Sequence, residues 1–387
     1  MLNNELQKFL GKQKADHLYR SRSIVDGPQG VELSIDGKTY LNFCSNDYLG
    51  HANHPKVREA FIQGVQQYGV GSGASHLITG HSRAHHDLEV ALAEFVGRPR
   101  ALLFSTGYMA NLGVISALLH KGDHVFEDRL NHASLLDGGL LSQARLQRYQ
   151  HADCHDLSNK LNASKAETRL IASDGVFSMD GDVAPVKALA ALAQQHHAWL
   201  MLDDAHGLGV MGARGRGLLE VCAASLDDVP VLIGTLGKAI GTFGAFVAGD
   251  EVLIETLIQK ARSYIYTTAL PPAVAVATQA SLRLIDEEAW RRDHLRDNLR
   301  LFRQLAAQAG IALGDSDTAI QPVIIGEVEA TLQLSEALKQ HGLLVTAIRP
   351  PTVPQGTARL RITLSADHTP EHITRLVEVM HNCGVGQ

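Results

Sequence analysis

Between about residues 55 and 250, short apolar runs alternate with amphipathic ones, and this alternation constrains the fold more than any other feature of the chain. Residues 101–104, 124–127, 170–173, 199–202, 231–234 and 245–248 read as strands. Helical patterns, such as those ending near His120 and covering 186–194, fall between them. Such an order builds a mostly parallel sheet with helices on both faces, an α/β architecture. The ends differ. Residues 1–22 suggest an amphipathic helix with Leu2, Leu6, Phe9 and Leu10 on one face, followed by a strand pair near 31–33 and 40–43 that turns at Asp36-Gly37. After Pro271-Pro272 a long helical stretch runs to about 309. Strands at 322–325, 344–348 and 360–364 then mix with helices at 331–341 and 370–382. The expected division is an N-terminal arm (1–50), a large domain (51–275) and a smaller α+β C-terminal domain (276–387).

Composition narrows the function. The chain has 387 residues, a net charge of −6 and no Lys/Arg-rich run, so no nucleic-acid partner is expected. Its four cysteines are scattered, which argues against a disulfide framework and for a reducing compartment. The segments 101–120 and 231–249 are apolar enough to invite a membrane reading. Gly, Ser, Thr and Asn interrupt them, and Lys238 sits in the second, so buried core is the better account. No apolar leader opens the sequence, and Glu5 and Asp16 argue against a transit peptide; a cytoplasmic protein without a membrane partner is expected.

Three constellations carry chemistry. Lys238 is the only charged residue between Val231 and Gly249. Such surroundings desolvate an amine, lower its pKa and prepare it to capture an aldehyde. Standing alone, the segment fits a snorkelling lysine better. A P-loop is excluded, because Leu232 and Ala239 occupy positions where that motif needs Gly and Ser/Thr. Next, an apolar strand ends in Asp203-Asp204-Ala-His206, where ligands of open α/β sheets gather. One of these carboxylates suits a protonated pyridine nitrogen and the nearby His206 a phenolic oxygen, although such acids also cap turns. Finally, Ser105-Thr106-Gly107-Tyr108 joins a strand to a helix, where backbone N–H groups and the helix dipole favour an anion. Together they specify pyridoxal 5′-phosphate (PLP). Of two Gly-rich matches, the one starting at Gly207 follows a strand but lacks the helix and distal acid of a dinucleotide site, and the one starting at Gly69 follows a helix-like segment. For His151-Ala-Asp153-Cys154-His155 a metal role is disfavoured, so no metal is expected.

The chain resembles the α-oxoamine synthase family of fold-type-I PLP-dependent transferases from about residue 15 to 380. The likeness runs through Asn42-Phe-Cys-Ser-Asn46-Asp-Tyr48, Gly71-Ser-Gly73, His85-His-Asp-Leu-Glu89, Asn131-His132-Ala-Ser134 and Asp174-Gly-Val-Phe-Ser178-Met-Asp-Gly-Asp182. It continues through Asp203-Asp-Ala-His206, Thr235-Leu-Gly-Lys238 and Tyr266-Thr-Thr-Ala-Leu-Pro-Pro272. The stretch Ala347-Ile-Arg349-Pro-Pro-Thr352 to Arg359-Leu-Arg361 points to the branch that condenses L-alanine with a pimeloyl thioester in biotin synthesis. The resemblance implies that Lys238 holds the aldehyde, Asp203 the pyridine nitrogen and His206 the phenolic oxygen, with His132 stacked on the ring. It gives the phosphate to Thr106, Gly107, Tyr108 and Thr235, with Thr268 (or Thr267) from a second subunit of a homodimer, and it places Ser178 beside His206. It assigns Asn46 and Arg361 to the amino acid's carboxylate, counts Arg349 and Thr352 among the substrate-binding residues, and leaves open whether Arg20 or Arg22 meets the acyl substrate. The acyl carrier is left open between coenzyme A and acyl carrier protein. Asp174 stands where relatives usually carry Glu, so its contact is open as well. The alternatives are a sister synthase taking glycine with another acyl-CoA, an aminotransferase on the same fold, or a non-catalytic subunit, which Lys238 argues against.

Overall fold

A computed structural model describes residues 2–386. The chain forms two compact units. One comprises the residues up to Tyr48, Met179–Asp182 and those from Asp293 onward; the other comprises Leu49–Ser178 and Val183–Arg292.

The second unit is built on the alternating pattern. Its seven-stranded sheet runs, in spatial order, Arg100–Phe104, Ala245–Gly249, Val231–Thr235, Trp199–Asp203, Arg169–Asp174, His124–Asp128 and Arg145–Tyr149. Ala245–Gly249 is antiparallel to both neighbours, and the remaining pairings are parallel. The central strands read as unbroken apolar runs because helices cover both faces: Leu200, Met201, Leu202, Leu232 and Ile233 have no exposed surface. Register brings Asp174, Asp203 and Ile233 side by side, so one edge of the sheet presents consecutive strand ends. Arg145–Tyr149 is the strand the sequence pattern misses. It lies at the sheet margin, where Arg145 and Arg148 face solvent and no apolar run is required.

The first unit contains two smaller sheets. Glu32–Ile35 and Lys38–Asn42 form the expected hairpin, joined by Val25–Asp26 on one side and by Leu343–Leu344, in parallel, on the other. Ala358–Thr363 lies between Ile320–Gly326 and Thr346–Ile348. The N-terminal arm is therefore no separate body: Leu41 and Phe43 donate backbone hydrogen bonds to Gly342 and Leu344, and the Phe43 ring stacks on His368 at 4.4 Å. The expected boundary at 275/276 falls inside the helix Pro272–Glu287, which packs on the helices Pro55–Tyr68 and Arg83–Val96 of the second unit. The N-terminal helix spans Leu2–Ala15 rather than 1–22 and buries none of its residues. A left-handed His17 (φ 56°) follows its end. Among the described residues no helix is long and apolar enough to cross a membrane.

Asp204, one residue beyond the Trp199–Asp203 strand, is fully buried and accepts a hydrogen bond from the Leu218 N–H at 2.7 Å. Burial pushes its carboxyl up to about 8. The folded protein thus keeps a proton that the unfolded chain releases, a contribution present in acid and lost as pH rises from 3.8 to about 8. Asp204→Asn is expected to flatten the fall in melting temperature across that window; an unchanged slope would refute the assignment. In the same strand, Leu202→Ala should cost ~2–5 kcal/mol in urea unfolding, because the sheet cannot collapse into the space left.

Candidate active site

The strand ends of the second unit position the chemistry. A cavity of about 170 Å³ is lined by Gly107, Tyr108, Asn111, His132, Ser134, Asp174, Ser178, Asp203, Ala205, His206, Thr235 and Lys238. Each side chain arrives there for a local reason. Thr106 ends the turn after Arg100–Phe104 and caps the helix Gly107–Leu118 by accepting from the Met109 N–H at 3.1 Å. That use of its side chain leaves the first-turn N–H groups of Gly107 and Tyr108 at the helix mouth, where no intrahelical acceptor exists. Lys238 sits in the turn that follows Val231–Thr235, and His206 in the one after Trp199–Asp203.

Asp203 is fixed on both oxygens. Oδ1 accepts from the Ala205 N–H at 3.0 Å and Oδ2 from the Asn111 side chain at 2.7 Å. Asn111 spends its other N–H on Ser134 Oγ at 2.8 Å. The Ser134 hydroxyl, already an acceptor, then donates to His132 Nδ1 at 2.7 Å, which leaves any proton of the neutral ring on Nε2. Burial lowers the His132 pKa, with the Asp203 and Lys238 charges acting against each other. The ring is therefore neutral at neutral pH, a state suited to stacking on a flat aromatic group. Asp174 holds His132 from behind by accepting from its backbone N–H at 2.7 Å. Burial, followed by the charge of Asp203, raises Asp174 well above the usual carboxylate range. The open question about Asp174 thus receives a contact: the shorter acid braces backbone. Tyr108 donates its hydroxyl to Asp137, and its ring meets His132 edge-on at 6.2 Å.

The groups present fit PLP. A Cβ at Gly107 would lie 2.9 Å from Thr235 Cγ2, so only glycine leaves this floor open. Thr235 Oγ1 is buried without a hydrogen-bond partner, which suits a phosphate oxygen. Lys238 would supply the amine for the aldehyde and Asp203 the carboxylate for the ring nitrogen.

Of the other expected residues, Thr268 does not line this cavity; it is exposed, and its backbone bridges Ser75. Asn46, Arg361, Arg20, Arg349 and Thr352 belong to the first unit. There Arg361 donates to Asn46 Oδ1 at 3.2 Å, and the Tyr48 hydroxyl donates to the same oxygen at 3.2 Å. Burial pushes the Tyr48 phenol up to about 12, against the pull of Arg361. Arg349 donates to the Tyr19 carbonyl at 2.6 Å, and Arg20 to Thr352 Oγ1 at 3.4 Å. Burial, and then the charge of Arg20, lower the Arg349 guanidinium, so two cations converge where an anion would relieve them. His151, singled out with its neighbours as a weak metal candidate, instead pairs with Asp128 at 3.0 Å. Sequence reasoning missed Asn111. Its signal is a lone amide four residues after Gly107 in an otherwise apolar helix, on the face that Gly107 presents.

Comparison with known proteins agrees with this geometry. The description "Aminotransferase class I and II" matches residues 38–380. Over 369 residues the chain is 63% identical to 8-amino-7-oxononanoate synthase of Nitrosococcus oceani, covering 95% of this chain and 98% of that one. A serine palmitoyltransferase of S. paucimobilis, solved with PLP and myriocin bound, superposes with a TM-score of 0.92 at 32% identity, covering 98% and 96% of the two chains. The 8-amino-7-oxononanoate synthase of Francisella tularensis superposes with a TM-score of 0.78 at 32% identity, covering 89% and 97%. On these grounds the chain belongs to the 8-amino-7-oxononanoate synthase family of PLP-dependent acyltransferases.

Proposed function

We propose that this protein condenses L-alanine with a pimeloyl thioester, forming 8-amino-7-oxononanoate and releasing CO2 and the thiol. A carbon–carbon bond forms between the alanine Cα and the thioester carbonyl carbon, while the C–S bond and the Cα–carboxylate bond break. The observation that carries this reading is Lys238 and the doubly anchored Asp203 lining one cavity. Bound PLP would supply an electron sink for the amino acid's Cα. Asp203 keeps a proton on the ring nitrogen, and the Asn111 bond keeps Asp203 from swinging away. Lys238 Nζ takes the Cα proton and later returns one. His132 covers one ring face, and His206, with Ser178 beside it, bonds the phenolic oxygen. The amides of Gly107 and Tyr108, with Thr235, hold the phosphate at a helix N-terminus. Arg361, steadied by Asn46, grips the alanine carboxylate, for which a planar guanidinium is suited. Arg349, with Arg20 and Thr352, takes the distal carboxylate of the pimeloyl chain.

A homodimer accords with the surface of the second unit. Phe61, Ile62 and Phe243 surround an apolar cavity of about 350 Å³, and Val70, Leu77, Ile78 and Tyr266 are exposed as well. Thr268, exposed and absent from its own chain's cavity lining, would serve a partner's phosphate.

Reduction of the PLP-loaded protein with borohydride should fix the cofactor covalently, whereas Lys238→Ala should prevent fixation and lower turnover by at least ~10³-fold. Alanine with pimeloyl-CoA should release the thiol; turnover of glycine with acetyl-CoA alone would sink the substrate assignment. Asn111→Leu should weaken PLP binding about tenfold in a fluorescence titration, since it strands a buried carboxylate oxygen. Unchanged affinity would remove Asn111 from the cofactor's support.

A further inference from the structure

We infer that the ion pair Arg359–Asp180 is a positioning clamp for Ser178, and that it couples this residue to the strand bearing Arg361. The inference rests on the reading that Ser178 faces the cofactor. Alternation along Ala358–Thr363 puts residues 359 and 361 on one face of the strand. Arg361 spends its guanidinium on Asn46. Arg359, with a side chain only 4% exposed, donates from Nε to the Thr357 carbonyl at 3.0 Å, and from Nη1 to the Met179 carbonyl at 3.3 Å and to Asp180 Oδ1.

Met179–Asp182 is a four-residue excursion into the first unit, flanked on both sides by chain of the second. It is tied at three successive residues. After the Met179 carbonyl and the Asp180 carboxylate, the Gly181 carbonyl accepts from Ser316 Oγ at 3.0 Å and from Thr318 Oγ1 at 2.9 Å. Gly181 has φ 74°, and a Cβ there would lie 2.3 Å from the Ile320 carbonyl oxygen, so the residue can be neither turned nor enlarged. The base of the same loop is fixed separately: Val176 bridges Val183, Ala184 donates to the Gly175 carbonyl at 2.8 Å, and Gly175 donates to the Asp203 carbonyl at 2.7 Å.

Ser178 lies between the two anchors, one bond before the clamped Met179, and lines the cavity with Lys238 and His206. A solvent-exposed ion pair contributes little to stability. This one has a buried guanidinium whose donors are divided among three groups, two of them in the excursion, which is the expenditure of a device that sets position.

The test compares Ser178→Ala, Asp180→Asn and the double variant, each loaded with PLP, by titrating the cofactor's visible absorbance against pH. Asp180→Asn keeps the side-chain volume at a position that is 31% exposed; Arg359→Lys serves as a second break that keeps the charge but loses the fork. The expected result is that the single variants displace the titration in the same direction and the double variant adds nothing, with kcat about tenfold lower and KM for alanine little changed in Asp180→Asn. A lower melting temperature with an unmoved titration would make the pair merely structural and overturn the proposal, as would additive displacements. If Ser178→Ala itself left the titration unmoved, the cofactor-facing reading of Ser178 would fail, and the clamp's purpose with it.

Discussion

The hydrogen bond from Asn111 to Asp203 joins the two physical requirements of this protein. Asp203 ends a strand buried on both faces, where a carboxylate without partners would be costly. A side-chain amide and a backbone N–H satisfy its oxygens, and the same Asn111 extends the network to Ser134 and His132. One buried amide therefore links Asp203 to His132 through Ser134. The two neighbouring acids behave differently. Asp174 braces backbone and Asp204 caps the Leu218 amide, and burial drives both toward their neutral forms. Three carboxyls crowd one sheet edge without three charges doing so.

The chain divides its labour along lines that its linear order conceals. Every residue lining the cofactor cavity belongs to the second unit, whereas the residues assigned to the two substrate carboxylates belong to the first. The first unit is assembled from the N-terminal arm, the C-terminal quarter and four residues borrowed from the middle. Those four residues explain why a loop next to Ser178 is so heavily bonded, since a short excursion has no core of its own and depends on hydrogen bonds to be held.

Much of this was legible from residue order. The apolar runs located six of the seven strands in the main sheet because strands covered on both faces are apolar almost throughout. Arg145–Tyr149 escaped because a marginal strand need not be. The solitary charge of Lys238 and the acidic end of the Trp199–Asp203 strand marked chemistry, for an apolar setting makes any charge conspicuous. Asn111 did not stand out, because a polar residue in a helix ordinarily faces water, and only the packing reveals that this one does not.

By itself, the sequence determined the secondary elements, the cofactor class and the residue types at the strand ends. These follow from local periodicity and from chemistry that a single side chain can carry. The tertiary structure decided the partners: which carboxyls burial drives toward neutrality, which hydroxyl orients His132, and which arginine clamps Asp180 while its neighbour at Arg361 meets Asn46. Hydrogen-bond pairing and desolvation depend on distances between residues far apart in the chain, and no one-dimensional pattern encodes them.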